Sequence, residues 1–176
     1  MSNLTTRELT KEVTNINKPF WDQAITAAVT SVTSATLDGM ADGGYDFEIW
    51  VYNPTGSTSN FSMYVNNDQT ATNYDRTSMY TAGVSASVSN SADALIANAL
   101  TTGRAIVTGT INISPDGYVN YNVIEKRLSD KYILVHGVTK NAVVTNVTRI
   151  DIVASVASSI GINSRIKFCL GPIAHY

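Results

Sequence analysis

The fold is decided by residues 45–52, which read YDFEIWVY. Their apolar and polar faces alternate along the chain: Tyr45, Phe47, Ile49 and Val51 against Asp46, Glu48, Trp50 and Tyr52. A repeat of two is that of a β-strand, because successive side chains point to opposite faces of a sheet. We therefore predict a strand with one strongly apolar face, followed by a turn at residues 53–57, which read NPTGS.

The same kind of pattern recurs on both sides of this stretch. A turn that reads SPDG at residues 114–117 joins two alternating runs into a predicted hairpin. The spacing between turn signals is typical of a sandwich or jelly roll, so the predicted fold is all-β, a single jelly-roll-type β-sandwich of about eight to ten strands with a short N-terminal arm. Besides residues 45–52, strands are predicted near residues 29–37, 61–65, 105–113, 119–123, 132–139, 149–156 and 164–170, with one or two more between residues 75 and 88.

The composition agrees with this fold class and narrows the function. Charged residues make up 15% of the chain, well below the usual quarter. The net charge of −2 and the scattered Lys and Arg argue against a nucleic-acid partner. No apolar run reaches the roughly 18 residues of a membrane span, and the N-terminus has no signal-like apolar region, so we expect synthesis in a cytoplasm and no membrane partner. Cys169 is the single cysteine, which excludes an internal disulfide.

The first 28 residues differ from the rest of the chain. They hold a large share of the charges, and their apolar residues follow neither a repeat of 2 nor one of 3.6. We predict an N-terminal arm or anchor segment at residues 1–28 and a sandwich domain at residues 29–176; the alternative is that the segment packs on its own domain. Short helices are expected at residues 19–28 and 90–100. The residues expected to attach the arm to a partner are Arg7, Lys11, Phe20 and Trp21.

The sequence contains no recognisable catalytic constellation. A hydrolase needs a nucleophile with a base, or paired carboxylates in a cleft. His136 lies inside a predicted strand and is interpreted as structural, while Asp46 and Glu48 share a strand face and are interpreted as a solvated or interface pair. Nucleophile-elbow and phosphate-loop motifs are absent from the sequence. We therefore expect a protein that is not an enzyme and needs no cofactor.

A Gly-rich stretch at residues 37–46 raises the question of a metal. Its aspartates, Asp38, Asp42 and Asp46, offer oxygen ligands of the kind that calcium prefers. Their spacing does not match an EF-hand loop, however, and Asp with Gly is common in turns. No metal site is predicted.

Two aromatic residues, Trp50 and Tyr52, fall on the polar alternation of the deciding strand. Outward aromatic side chains on a sheet pack against another subunit, stack on a sugar ring, or lie under a neighbouring loop. Subunit packing is the preferred interpretation, and glycan contact is the functional alternative.

Short stretches spread over most of the chain resemble a group of virion structural proteins of tailed phages. The resemblance runs from about residue 29 to residue 168 and leaves the N-terminal segment outside. It implies a jelly-roll-like sandwich on the virion, commonly a trimer, and brings no catalytic residues. The stretches that carry it are residues 29–33 (VTSVT), 37–39 (LDG), 45–53, 62–74, 84–90, 116–118 (DGY), 150–152 (IDI), 160–161 (IG) and 164–165 (SR).

The expected function is therefore that of a non-enzymatic virion protein assembled in the host cytoplasm. We expect a homotrimeric capsid decoration (cement) or head-fibre protein that binds other virion proteins, such as the major capsid protein, through its N-terminal arm. The alternative is a tail-associated receptor-binding module. Trp50, Tyr52 and the polar loops at residues 55–60 and 66–73 would then contact a host surface glycan.

Overall fold

The computed structural model describes residues 19–37, 43–82, 85–128 and 133–170. Within these ranges the regular structure is extended except for one short 3-10 helix at Ala71–Asn73. The described residues therefore include no helix that could span a bilayer. The described strands are β1 (Pro19–Ala24), β2 (Ser31–Thr33), β3 (Gly43–Asn53), β4 (Ser59–Val65), β5 (Tyr74–Ala82), β6 (Ser85–Ser91), β7 (Leu95–Leu100), β8 (Gly103–Ile113), β9 (Val119–Arg127), β10 (Ile133–Lys140), β11 (Ile150–Ala154) and β12 (Arg165–Leu170).

These strands form two antiparallel sheets. The large sheet has the order β1-β12-β3-β8-β9-β10-β5-β6, and the small sheet has the order β2-β11-β4-β7. The longest register joins β3 to β8, from Gly43 opposite Ile113 to Asn53 opposite Gly103. The predicted all-β sandwich is confirmed, with more described strands than the eight to ten expected.

The core lies between the two sheets and is made by the apolar halves of the alternating strands. In β3 the inward residues Phe47 and Ile49 are buried, while Glu48 and Trp50, which alternate with them, are exposed. Burying one aliphatic side chain of this size contributes about 1.5–3 kcal/mol. Completely buried residues come from both sheets: Ile49, Phe61, Met63, Val107, Ile111, Ile150, Ile152, Ile166 and Phe168.

The segment that we expected to form a helix at residues 19–28 instead begins with a strand of the large sheet. β1 pairs with β12, and Trp21 stacks on Phe168 with ring centroids 5.2 Å apart. Phe168 also stacks on Phe47 at 5.4 Å. These aromatic contacts favour the strand, and residues 19–28 therefore belong with the sandwich. The rest of the predicted arm lies outside the described residues.

The helix expected at residues 90–100 is also wrong. β6 ends at Ser91 and β7 begins at Leu95, where β7 pairs with β4. The run Ala94–Ala97 is buried throughout, and a continuous apolar run of this length does not distinguish a buried strand from a buried helix. The pairing with a partner strand decides between them.

We predict that Gly109 is required for the packing of the large sheet. A Cβ at this position would lie 2.0 Å from the Asn122 carbonyl oxygen and 2.8 Å from the Phe47 ring. Gly109→Ala should therefore lower the free energy of unfolding by about 3 kcal/mol, measured by urea denaturation. The matched control is Gly137→Ala, because nothing lies within 4 Å of a Cβ there. Equal midpoints for the two variants would contradict the assigned register.

Candidate functional site

The candidate site lies on the face of the large sheet that points away from the core, here called the outer face. The register places one residue of each strand in a single row across this face, and the row changes character along its length. Its first three members are charged, the fourth is Thr108, and the last four are apolar. In sheet order the row is Asp22, Lys167, Glu48, Thr108, Ile124, Val135, Met79 and Val88.

A cleft of about 330 Å³ opens on the charged part of the outer face, and it is called the Trp50 cleft. β3 supplies Glu48 and Trp50, β12 supplies Arg165 and Lys167, and the turn before β12 supplies Asn163. An aromatic ring surrounded by a carboxylate, two cationic side chains and an amide can stack on a ligand and exchange hydrogen bonds with it.

A hydrogen bond and two cross-strand neighbours orient the Trp50 ring in this cleft. The indole is 40% exposed, and its Nε1 donates to Glu48 Oε1 at 2.6 Å. Cross-strand neighbours on the same face, Ile106 on β8 and Arg165 on β12, flank it on either side. The side chain is therefore presented to solvent in an orientation set by its neighbours.

An ion pair holds the cationic side of the cleft. Arg165 donates to both oxygens of Asp22, from Nε at 2.8 Å and from Nη2 at 2.7 Å. The hydrogen bond from Arg165 lowers the pKa of the Asp22 carboxyl and raises that of the guanidinium. Because this bidentate pair joins β1 to β12, the guanidinium is fixed in place beside Trp50.

The loop at residues 155–164 forms one wall of the cleft and is attached to the end of β3. The Gly161 amide donates to the Tyr52 carbonyl at 2.8 Å, and the Tyr52 amide donates to Ser164 Oγ at 2.9 Å. A Cβ at Gly161 would lie 2.8 Å from both the Tyr52 carbonyl oxygen and the Pro54 ring. Only glycine permits this close approach, which positions Asn163 at the cleft.

Trp50 and Tyr52 share the outer face, as the sequence indicated, but they differ in their surroundings. Tyr52 is half-buried, and the Arg104 guanidinium lies 5.5 Å from the centroid of its ring. Tyr52 is not among the residues that line the Trp50 cleft. The structure therefore brings one of the two predicted aromatic residues to the site and pairs the other with an arginine.

The two polar loops proposed as a glycan-recognition surface do not converge. The loop at residues 55–60 runs into the start of β4 (Ser59–Val65), and the loop at residues 66–73 follows its end, so residues 61–65 separate them. Pro54, which precedes the first loop, lies next to Gly161 in the wall of the cleft, whereas the second loop is at the far end of β4.

The residues predicted to anchor the arm are partly described. Trp21 is 7% exposed and belongs to the core, which leaves almost none of its surface for a partner. Phe20 is 38% exposed, with its ring 5.9 Å from the Tyr45 ring. Arg7 and Lys11 lie outside the described residues. So do Asp38 and Asp42 of the Gly-rich stretch; elsewhere in the described ranges no cluster of His, Cys, Asp or Glu could hold a metal.

A polar network that the sequence did not reveal lies on the inner face of β5, β9 and β10. Ser78 Oγ lies 2.8 Å from His136 Nδ1, and His136 Nε2 lies 3.7 Å from Glu125 Oε2. Arg127 Nε donates to Glu125 Oε1 at 3.0 Å, and the backbone amide of Asn98 donates to Oε2 at 3.0 Å. The inward repeat of β9 is the one sequence signal that could have placed Glu125 inside.

The three residue types of this network are those of a hydrolytic triad, but their burial assigns them a structural role. Ser78, His136 and Glu125 are each at most 1% exposed. The Ser78 hydroxyl also accepts a hydrogen bond from Arg76, which itself pairs with Asp93. A substrate has no access to a nucleophile in this position, so the network serves to join β7 to the large sheet.

Comparison with known proteins adds little beyond this geometry. No family model matches the chain, and no curated protein matches it. A solved structure, the galectin LEC-6 of Caenorhabditis elegans, is similar over 74% of this chain and 94% of that one, at 10% identity and a TM-score of 0.27.

We predict that Glu125 is important for stability. Glu125→Ala removes the acceptor of the Asn98 amide and leaves Arg127, whose side chain is 13% exposed, without this carboxylate. Breaking a buried pair in this way costs about 3–5 kcal/mol, measured by urea denaturation. Glu125→Gln keeps an acceptor and should cost less. The control Lys126→Ala, on the exposed side of the same strand, should stay within about 0.5 kcal/mol, and an equal cost for both alanine variants would refute the assigned role.

Proposed function

We propose that this protein is a non-enzymatic structural component of a tailed-phage virion, a capsid decoration or head-fibre protein. The observation that carries the proposal is the outer face of the large sheet, which the described residues leave open. Four apolar side chains on four neighbouring strands of that face are between 39% and 67% exposed: Ile124, Val135, Met79 and Val88. Contiguous apolar surface of this kind is typical of proteins that bind other proteins.

The distribution of titratable groups supports a binding role over a catalytic one. Glu125 and His136 are buried in the polar network, and Asp22 is paired with Arg165. Glu48 accepts a hydrogen bond from Trp50. Together with the resemblance of residues 29–168 to phage virion proteins, these features favour a protein that acts by covering surface.

The N-terminal segment remains the proposed anchor, but the fold indicates that it ends earlier than residue 28. β1 begins at Pro19 and is stabilised by the packing of Trp21 on Phe168. A deletion that extends to residue 28 would remove this strand and its aromatic contacts. The anchor, with Arg7 and Lys11, is therefore proposed to be residues 1–18.

For virions that carry this protein, we predict that a chain lacking residues 2–17 folds but no longer binds capsids. Immunogold labelling of intact virions should place the full chain on the head, and capsids stripped of it should rebind the full chain but not the truncated one. The truncated chain should still unfold cooperatively, but it should no longer bind capsids. Labelling at the tail would favour the second candidate function, given below. The decoration proposal would be refuted if intact virions were not labelled although the same antibody detected the denatured protein in a blot.

We propose as the second candidate function that the protein contacts a host surface glycan as a tail-associated module. The specific observation is the Trp50 cleft, where the exposed indole lies beside Glu48, Asn163, Arg165 and Lys167. The apolar face of an aromatic ring stacks on the C–H face of a sugar, and the surrounding donors and acceptors form hydrogen bonds with its hydroxyl groups.

If the cleft binds glycan, Trp50→Ala should weaken that binding at least about fivefold, because a truncated aromatic anchor typically costs more than about 1 kcal/mol. The measurement is a glycan array followed by titration of the best glycan. Tyr118→Ala is the matched control, since Tyr118 is a comparably exposed aromatic (43%) in the turn between β8 and β9. An array without binding, or equal losses in the two variants, would count against this function.

A further inference from the structure

The half of the outer face formed by β9, β10, β5 and β6 is nearly free of charge, and it is called the uncharged half-face. Charges among its described outward residues occur only at its two borders. Lys126 pairs with Ile133 at one end of the strands, and Asp75 pairs with Thr139 at the opposite end. The other half, with Asp22, Glu48, Arg165 and Lys167, is rich in charge.

The centre of the uncharged half-face is apolar and exposed. Val135 faces Ile124 on one side and Met79 on the other, and Met79 faces Val88 on the edge strand. Their exposed fractions are 39%, 50%, 50% and 67% in that order. Ile133, 46% exposed, extends the patch along β10. Exposed apolar surface that is contiguous across four strands marks a contact with another macromolecule.

The polar side chains around this patch already bond to one another. The Thr77 hydroxyl donates to Asn90 Oδ1 at 3.0 Å, and the Thr139 hydroxyl donates to Asn120 Oδ1 at 2.8 Å. A hydroxyl that keeps its partner loses little when water is removed from the surface. The surroundings of the patch are thus suited to burial as well.

The size and the apolar character of the half-face fit a second copy of the same chain. Four strands about 4.8 Å apart and about eight residues long span a flat area of roughly 500 Å², and the relief of the side chains raises the accessible area towards that of a standard interface, about 800 Å² per partner. A two-fold axis parallel to the strands, between β10 and β5, would lay β9 of one copy over β6 of the other and keep the two charged halves at opposite ends of the pair. Interfaces between identical chains are more apolar than other interfaces, as this patch is.

We propose that the uncharged half-face packs against the same half-face of a second copy of this chain. It rests on the same four apolar side chains that carry the proposed function, but it names a second copy of the chain as their partner and is tested on the purified chain alone. It joins two copies, in place of the homotrimer expected from the resemblance, and it moves the self-contact away from Trp50 and Tyr52, for which the sequence favours subunit packing. Packing face to face is favoured over pairing of the β6 edges, since edge pairing would leave Val135 and Met79 exposed to water.

The test is sedimentation equilibrium of the full chain, with Val135→Lys as the central variant. Self-association is expected for the natural sequence, and Val135→Lys should weaken it at least about thirtyfold, because it places a charge at the middle of a dry interface. Ile162→Lys is the matched control: Ile162 is also exposed (51%) but lies in the loop before β12. Urea denaturation should show both variants folded.

Three results would overturn the proposal. The first is a natural chain that remains monomeric at all concentrations, and the second is an oligomer that Val135→Lys leaves intact. The third is new protection from hydrogen exchange, in the oligomer, of the β6 amides that point away from β5, which would indicate edge pairing in place of face packing. The labelling of virions tests the proposed function independently, so failure of one does not imply failure of the other.

Discussion

The rest of the structure depends on the register of β3, which lies between β12 and β8 in the large sheet. Its side chains alternate strictly, so Phe47 and Ile49 enter the core while Glu48 and Trp50 reach the outer face. A slip of one residue against either neighbour would exchange these two sets, exposing the apolar side chains and burying a carboxylate. The core and the Trp50 cleft therefore lie on opposite faces of β3, and both depend on its register. A change that disturbs one will disturb the other.

The two ends of the large sheet are stabilised by different kinds of contact. At the β1–β12–β3 end the rings of Trp21, Phe168 and Phe47 stack in sequence. At the β9–β10–β5 end the inner face instead carries the network around Glu125 and His136. A buried ion pair adds little net stability, but removing one partner is costly because the other stays buried. The aromatic end is thus stabilised by burial of apolar rings, whereas the polar end is costly to break because each charged group depends on its partners.

The sequence predicts those features that depend on local alternation. The strands with a clear repeat of two, and the outward direction of Trp50, follow from it. The short stretches PFWDQA at residues 19–24 and ALIANAL at residues 94–100 fit a helix as well as a strand, and distant partners decide their state. The site is predictable only in part, for the same reason. Strand order, which no local pattern contains, places Arg165 beside Trp50. It also brings four apolar side chains into one row: Ile124, Val135, Met79 and Val88.

The division of the outer face also explains how one sheet can serve two kinds of contact. The charged half holds the Trp50 cleft, while the uncharged half lies across β8 from it. Packing of two copies through the uncharged half would leave both clefts open to solvent. A shallow, open cleft binds a single sugar weakly, but two clefts fixed in one assembly bind a repeating surface with a higher effective concentration. Self-association and surface recognition are then compatible, because the first would use the uncharged half of the outer face and the second the charged half.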